Sequence, residues 1–216
     1  MNGGWVLIEQ GAHWLGALIG LGTLSIAVIS MLRSLRRPAG REEPGARLAL
    51  RAPILVAATL AFVALAAWLW RPLPCTLPAA WHTLLLILGC VLLVGGCLLY
   101  LWGLRTLGTM FAPSSGFGVR LHAGHRLIVS GPYAFVRHPM YLAVMLAAWG
   151  SLLLYQTWAS LGFAVMMLGL VVRARREERV LAQEFGQGWR EYAGRVPAWL
   201  PRPRRDSSSV VPGSHA

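Results

Sequence analysis

Five long apolar runs limit what this chain can fold into more than any other feature of its sequence. They lie at about 11–32, 52–70, 84–104, 140–155 and 158–172, and none of them contains a charged residue. A helix needs ~20 apolar residues to cross the hydrocarbon core of a bilayer. Because 56% of the residues are hydrophobic and only 13% are charged, the sequence predicts an all-α integral membrane protein with about five transmembrane helices.

The last two apolar runs are separated only by Gln156 and Thr157, a turn without charge. We interpret these two runs as a helical hairpin. Each run is somewhat short, so the tip of the hairpin would barely reach the far membrane interface. One long re-entrant arrangement is the alternative interpretation.

The arginines predict how the helices are oriented. All 20 basic residues are Arg, and the formal net charge is +12. They cluster in the predicted loops 33–51 and 105–139 and in the tail from residue 173, whereas the turn of the hairpin has none. The positive-inside rule then places the N-terminus outside and the C-terminus in the cytoplasm, in a plasma or inner membrane. Arginines that lie between apolar runs favour this topological role over binding to nucleic acid, so no nucleic-acid partner is expected.

The distribution of apolar and polar segments suggests three parts. Residues 1–104 would form N-terminal transmembrane helices, residues 105–201 a core with a cytoplasmic loop, the hairpin and a C-terminal helix, and residues 202–216 a disordered tail. The cysteines Cys75, Cys90 and Cys97 have no metal-ligand spacing, so we predict no metal site and interpret them as small buried hydrophobic residues.

One polar segment leads directly into the apolar run that begins at residue 140, and the sequence there is 131-GPYAFVRHPMYLA-143. The chain has no carboxylate between Glu43 and Glu177, where Glu177 and Glu178 come together, and Arg173 lies one helical turn earlier. Adjacent helical residues point ~100° apart, so one glutamate can face inward while the other is solvated. Spacing alone also allows weak ion pairs on the surface of a helix, a capping role for His138, and an ordinary first-turn proline at 139.

Taken together, the C-terminal half resembles the isoprenylcysteine carboxyl methyltransferase family of integral-membrane enzymes. The resemblance covers roughly residues 107–201. Its pieces keep their order along the chain, and they are His125-Arg126-Leu127-Ile128-Val129-Ser130-Gly131-Pro132-Tyr133, Arg137-His138-Pro139-Met140-Tyr141, Arg173, Glu177-Glu178-x-x-Leu181, Phe185-Gly186, Tyr192, Arg195-Val196-Pro197 and Leu200-Pro201.

The resemblance implies methyl transfer from S-adenosylmethionine, with S-adenosylhomocysteine as product, in a cofactor pocket on the cytoplasmic side. The acceptor would be a lipophilic small molecule or a lipid-anchored group, most like a prenylcysteine-type carboxylate, reached from the membrane lipids. The implied catalytic residues are Arg173, Glu177 and Glu178. The implied cofactor-binding residues are His125, Leu127, Val129, Tyr133, Arg137, His138, Pro139, Tyr141, Glu177 and Glu178.

Two other functions stay open at this point. Sterol reductases that use NADPH carry a similar Arg-His-Pro-x-Tyr corner, although they are usually longer and lack the series of motifs that follows it here. A non-catalytic membrane protein that kept the fold is the third possibility, and the glutamate pair with Arg173 argues mildly against it.

Overall fold

A computed structural model describes residues 3–35, 39–42, 52–75, 77–111, 120–122 and 126–201. Almost all of the described chain is helical. The elements are α1 (Gly3–Leu35), β1 (Ala39–Glu42), α2 (Ala52–Trp68), α3 (Ala79–Leu107), a 3₁₀ turn (Gly108–Met110), β2 (Arg120–His122), a second 3₁₀ turn (Gly131–Ala134), α4 (Pro139–Tyr155), α5 (Trp158–Met167) and α6 (Gly169–Arg195).

Three helical segments are long and apolar enough to cross a membrane, and they are Gly4–Ser34, Ala79–Met110 and Trp158–Arg195. Two shorter apolar helices accompany them at Val56–Trp68 and Pro139–Tyr155. Large apolar side chains point outward along these helices: Leu18, for example, is 67% exposed. Such a surface is unfavourable in water and suits hydrocarbon, which confirms the prediction of a helical integral membrane protein.

The closest helix pairing joins α3 to α4 through small residues. A Cβ atom on Gly96 would lie 2.6 Å from the carbonyl oxygen of Ala143 and 2.7 Å from the backbone nitrogen of Ala147. Small residues let two helix backbones approach each other in a membrane, where van der Waals packing supplies much of the attraction. Beside this contact, Leu93, Cys97 and Leu154 form a buried cluster. The position of α4, including its N-terminal end, is therefore set by its packing against α3.

Hydrogen bonds join the N-terminal half of α1 to the C-terminal end of α4, at the end of the molecule that lies away from the 3₁₀ turns. The Tyr155 hydroxyl donates to the carbonyl oxygen of His13 at 2.9 Å, and His13 Nε2 lies 3.0 Å from the carbonyl oxygen of Leu154. The predicted turn follows directly: Gln156 adopts a left-handed φ of 48°, and Thr157 caps α5 with a bond from the Ser160 backbone N–H.

Four local features of the structure differ from the sequence prediction or are absent from it. An antiparallel pair, β1 with β2, joins the two loops that follow α1 and α3, although the prediction was all-α. Gly186, with φ at 51°, forms a kink inside α6, which continues to Arg195. Residues 126–129 form no regular element. Cys97 is buried as predicted, whereas Cys75 is exposed. Most of the predicted tail, residues 202–216, lies outside the described residues.

Candidate active site

The corner that precedes α4 is built by backbone constraints. Gly131 has a positive φ of 59°, a conformation that glycine adopts without strain. A Cβ atom there would also lie 2.6 Å from the Thr106 hydroxyl oxygen of α3. The 3₁₀ turn follows, His138 occupies the N-cap position, and Pro139 is the first residue of α4. A proline at this position loses no helical hydrogen bond, so the chain can turn sharply into the apolar segment.

The segment after α6 holds this corner in place. The backbone N–H groups of Arg137 and His138 donate to the carbonyl oxygens of Pro197 (2.9 Å) and Ala198 (3.2 Å). The Arg137 guanidinium adds a bond from Nη1 to the carbonyl oxygen of Ala193 at 2.7 Å. The Tyr192 hydroxyl donates to the carbonyl oxygen of Tyr133 at 2.7 Å. The two parts of the sequence that carry the resemblance are thereby bonded to each other.

Glu178 is the centre of a charged cluster behind the corner. Its Oε1 atom accepts hydrogen bonds from Arg137 Nε at 3.0 Å and from His138 Nε2 at 2.9 Å, and it lies 3.0 Å from Arg137 Nη2. His138 must be the donor, because an ionised carboxylate only accepts. The side chain of His138 is 5% exposed and that of Glu178 is 26% exposed. Glu178 therefore fixes the positions of Arg137 and His138 together.

The charges around Glu178 favour its ionised form. The uncharged run 158–172 is the part of the long segment Trp158–Arg195 that suits hydrocarbon, and Glu178 lies beyond it, outside the membrane-spanning part. The hydrogen bond from His138 and the positive charge of Arg137 hold the pKa of Glu178 below its ordinary value, although partial burial acts in the opposite direction. Glu178 is consequently a carboxylate at neutral pH.

Glu177 and Arg173 meet at the hydroxyl of Tyr141. The Tyr141 hydroxyl donates to Glu177 Oε2 at 2.5 Å, and Arg173 Nε donates to the Tyr141 oxygen at 2.9 Å. The Arg173 guanidinium also lies over the Tyr141 ring, 5.4 Å from its centroid. The Tyr141 ring stacks on His138 with 5.6 Å between centroids. Tyr141 thus connects the Glu177–Arg173 pair to the cluster around Glu178.

A cavity of about 360 Å³ opens against these residues. One wall is polar, and it is formed by Tyr133, Arg137, His138, Tyr141, Arg173 and Glu177. The facing wall is apolar, and it includes Leu24, Val28 and Met31 from α1. Pockets that bind small molecules have ~300–1,000 Å³ and are mostly apolar with a few polar groups that fix orientation. This cavity has the size and composition of such a pocket.

The predicted site residues do not all lie on the cavity. Six of the predicted cofactor-binding residues line it: Tyr133, Arg137, His138, Pro139, Tyr141 and Glu177. Arg173, predicted as catalytic, also lines it, whereas Glu178 bonds to the corner from behind. Leu127 and Val129 are not among the lining residues, and Val129 is 47% exposed. His125 lies outside the described residues.

The sequence interpretation missed the contribution of α1 and that of Tyr100 on α3, both of which line the cavity. A tyrosine in the middle of an uncharged apolar run could have drawn attention to Tyr100. The α1 residues have no such signal, because Leu, Val and Met are ordinary in a transmembrane helix.

The tyrosines next to the site are neutral phenols. Burial raises the pKa of Tyr133 far above its ordinary value, and the negative charge of Glu177 acts in the same direction. Burial likewise raises the pKa of Tyr192 to about 12. Neither hydroxyl can serve as a phenolate base near neutral pH. Among the described residues, no group of three or more His, Cys, Asp or Glu could hold a metal ion.

Residues 84–188 match the family model described as "Phospholipid methyltransferase". Among curated proteins, the chain is 37% identical over 81 residues to the cobalt-zinc-cadmium resistance protein CzcN of Cupriavidus metallidurans. It is 33% identical over 85 residues to the protein-S-isoprenylcysteine O-methyltransferase B of Arabidopsis thaliana. It is 39% identical over 80 residues to the Delta(14)-sterol reductase TM7SF2 of Mus musculus.

These alignments are local. They cover 35%, 38% and 34% of this chain and 36%, 43% and 18% of the respective relatives. The chain thus spans less than half the length of each curated relative named here. The solved structure of the eukaryotic intramembrane Ras methyltransferase ICMT (isoprenylcysteine carboxyl methyltransferase) is similar over 70% of this chain and 53% of that chain, with 20% identity and a TM-score of 0.37.

The matched segment runs from α3 through the corner, α4 and α5 into α6, so it contains the cavity's polar wall. The chain is therefore related to membrane methyltransferases through the part that builds the candidate site. The predicted resemblance is confirmed as a similarity: residues 84–188 match the phospholipid methyltransferase model, and isoprenylcysteine O-methyltransferases of Arabidopsis thaliana and Schizosaccharomyces pombe align with 38% and 36% of this chain.

Proposed function

We propose that this protein is an integral-membrane methyltransferase that moves a methyl group from S-adenosylmethionine to a lipophilic acceptor at the cytoplasmic face. The observation that carries the proposal is the pairing of two unlike walls in one cavity. Arg173, Tyr141 and Glu177 form a hydrogen-bonded polar wall, and α1 supplies a facing wall of aliphatic side chains. A polar cofactor can bind there against the polar wall, while an apolar acceptor binds against the aliphatic side chains of α1.

The polar wall fits the chemistry of S-adenosylmethionine. That cofactor has a carboxylate, an ammonium group, a ribose diol and a sulfonium centre. Arg173 can bind the carboxylate through its planar fork of donors. Glu177 can accept from the ammonium group or the ribose hydroxyls in a charge-assisted bond, since only one of its oxygens is bonded within the described part of the chain. Tyr133, His138, Pro139 and Tyr141 would frame the remainder of the cofactor.

When bound, S-adenosylmethionine supplies an electrophilic methyl group. The chain orients the two reactants and excludes water. These two effects can supply much of the reduction in the activation barrier of a displacement. An acceptor that is already an ionised carboxylate needs no general base. This agrees with a site next to which the tyrosines Tyr133 and Tyr192 are held neutral.

We infer a prenylcysteine-type carboxylate as the acceptor class. Support comes from the relative in Arabidopsis thaliana, a protein-S-isoprenylcysteine O-methyltransferase, and from the aliphatic α1 wall. An isoprenoid chain would pack along Leu24, Val28 and Met31, which lie on one face of α1 because they are separated by three or four residues. The N-terminal helices would then take part in substrate binding, beside the core at residues 105–201.

We also propose five transmembrane helices, with α4 and the first part of α5–α6 as the terminal hairpin, the N-terminus outside and the C-terminus in the cytoplasm. The directions of the helices support this topology: α1 and α3 end next to the site, where the Ser34 hydroxyl donates to the carbonyl oxygen of Phe111 at 2.7 Å. Reporter fusions at the C-terminus and in the 71–78 loop test it. A C-terminal reporter active on the outside would contradict the orientation.

An NADPH-dependent membrane reductase is the second candidate function. The 39% identity to a sterol reductase over 80 residues favours it. The two functions are separated by titrating the detergent-purified chain with S-adenosylhomocysteine and, separately, with NADPH in a calorimeter. Binding of S-adenosylhomocysteine alone supports the methyltransferase. Binding of NADPH alone would replace it with the reductase.

The same titration on variants tests whether the cavity is the binding site. Glu177→Gln removes the cavity's carboxylate charge, while Glu191→Gln makes the same change at an exposed glutamate that is bonded to Gln187. We expect Glu177→Gln to lower the affinity for S-adenosylhomocysteine and Glu191→Gln to leave it unchanged. If the two variants bind S-adenosylhomocysteine with equal affinity, the cavity is not the binding site.

A further inference from the structure

A second cavity of about 410 Å³ lies on a different face of α1. Its α1 wall is formed by Ile26, Ser30, Arg33 and Ser34, whereas the first cavity uses Leu24, Ala27, Val28 and Met31. The average direction of these two sets differs by about 125° around the helix axis. The opposite wall comes from α3 and the 3₁₀ turn after it, through Leu101, Leu104, Arg105, Gly108 and Phe111.

Two arginines face this cavity from different helices. Arg33 lies in the last turn of α1, and Arg105 lies in the last turn of α3. No described carboxylate forms an ion pair with either of them; the described ion pairs involve Glu9 and Glu178. Arginine near a helix C-terminus is favourable by itself. Two guanidinium groups on one cavity nevertheless repel each other, and a bound anion would remove that repulsion.

Ser30 adds a hydroxyl to the same surface. Thr23 and Ser25 on α1 donate to the carbonyl oxygens four residues before them, which is the usual bond of such residues in a helix. Ser30 makes no hydrogen bond with the described residues, although it faces the cavity. Two guanidinium groups and a hydroxyl are the donors with which proteins bind phosphate oxygens.

The remaining lining residues give the cavity two ends of different polarity. Ile26 lies about one turn before Ser30 and two turns before Arg33, and Leu101 lies one turn before Arg105, so the apolar side chains are nearer the middle of the helices. Charge at the helix ends and aliphatic side chains deeper in the bilayer match the layout of a phospholipid. The Ser34 bond to the carbonyl oxygen of Phe111 fixes α1 against α3 beside this cavity.

We propose that this cavity binds a phosphate group, held by Arg33, Arg105 and Ser30, and that its ligand is the head of a membrane phospholipid whose acyl chain runs past Ile26 and Leu101. The proposal does not depend on the methyltransferase function, because no residue of the polar wall of the first cavity is used. Phe111 lines both cavities, so the bound lipid lies next to the candidate active site.

The test uses the detergent-purified full chain and four probes: phosphatidylglycerol, phosphatidylcholine, diacylglycerol and inorganic phosphate. Retention of each probe is measured by native mass spectrometry, and affinity is taken from the shift of the thermal midpoint. The variant Arg33→Gln/Arg105→Gln removes two charges from the cavity. The control Arg175→Gln/Arg179→Gln removes two charges from exposed positions on α6.

We expect both phospholipids to bind the wild type and the control more tightly than diacylglycerol does. The cavity variant should bind them roughly tenfold more weakly or worse, because it lacks the charge-assisted bonds to phosphate. If inorganic phosphate binds alone with the same dependence on the two arginines, the anion site stands and its ligand is the free ion. Equal binding of phosphatidylglycerol and diacylglycerol, or equal losses in the two variants, would overturn the site.

A second measurement tests the proposal if the variant Arg33→Gln/Arg105→Gln does not fold. If the glutamine pair is not monodisperse, wild type and Arg33→Lys/Arg105→Lys are titrated with phosphatidylglycerol at low and high salt. Both should bind, and both should bind more weakly at high salt, because salt screens exposed charges. Affinity that does not change with salt would show that phosphate is not recognised by charge and would refute the proposal.

Discussion

The two neighbouring glutamates should respond differently to the same substitution. Glu178 Oε1 accepts bonds from Arg137 and His138, and a hydrogen bond to a charged group contributes about 1.5–3 kcal/mol. Glu178→Gln keeps one oxygen that can accept a bond and loses the charge. Because the carboxylate is partly exposed, with 26% of its side chain accessible, solvent screening reduces the loss. We expect a total destabilisation of about 2 kcal/mol.

Glu177→Gln should cost much less stability. The side chain has one bond within the described chain, from Tyr141, and the glutamine oxygen can still accept it, so we expect a change below about 1 kcal/mol. The substitution should instead weaken the binding of the ligand. Loss of one charge-assisted bond to S-adenosylhomocysteine should weaken binding roughly 10- to 100-fold.

Two measurements on the detergent-purified protein separate these effects. The thermal midpoint, followed by tryptophan fluorescence, should fall by about 4–8 °C for Glu178→Gln, from the scaling for chains of 150–250 residues, and by much less for Glu177→Gln. The calorimetric affinity for S-adenosylhomocysteine, taken well below both midpoints, should fall more for Glu177→Gln. Equal midpoints, or a greater loss of affinity in Glu178→Gln, would refute the assignment of Glu177 to the cavity. Glu191→Gln is the control for both measurements.

Three further predictions concern single features of the structure. Tyr141→Phe removes the hydroxyl that bonds to both Glu177 and Arg173 but keeps the stacked ring, so affinity for S-adenosylhomocysteine should fall roughly tenfold with little change in midpoint; an unchanged affinity would show that the hydroxyl does not organise the cavity wall. The pKa of Glu178 is lowered in the folded state. The stability that its ionised side chain gives to the folded protein is therefore present above about pH 4.3 and is lost as pH falls through the folded pKa. The difference in midpoint between wild type and Glu178→Gln should therefore shrink between pH 7 and about pH 3, and a constant difference would exclude the ionised pair as its cause. Gly96→Ala places a Cβ atom 2.6 Å from a backbone oxygen of α4 and should destabilise by about 1–3 kcal/mol, whereas Gly95→Ala, with nothing within 4 Å, should not; equal midpoints in the two variants would contradict the close α3–α4 contact.

Local patterns in the sequence predicted much of this fold. The bounds of the first four apolar runs lie within eight residues of those of α1 to α4, and the break at Gln156-Thr157 separates α4 from α5. This succeeds because a transmembrane helix needs a long uncharged segment, which composition reveals directly. The corner at residues 137–139 and the acids at 177–178 were expected to meet, and the resemblance supplied that expectation, since the two segments are some 40 residues apart in the sequence.

Other features could not be predicted, because they depend on which helix faces lie opposite each other. Leu24, Val28 and Met31 line the cavity although nothing distinguishes them from the lipid-facing residues beside them. The pairing of β1 with β2 joins two loops about 80 residues apart, and neither strand has the alternation that would identify it. Leu127 and Val129 belonged to a motif matched in sequence, yet membership of a motif does not place a side chain on a cavity.

The arrangement around Arg137 explains how two adjacent acids take separate roles. Arg137 directs Nε and Nη2 to Glu178 and Nη1 to the carbonyl oxygens of Ala193 and Val196. Its guanidinium is thus largely committed to holding the corner, so it acts as a positioning residue even though it lines the cavity. Because adjacent helical residues point ~100° apart, α6 presents Glu178 to this cluster and Glu177 to Tyr141 in the cavity wall. Besides Arg137, which Glu178 neutralises, the charged side chains that line the cavity are Glu177 and Arg173, one of each sign. A zwitterionic amino acid end, such as that of S-adenosylmethionine, requires this combination.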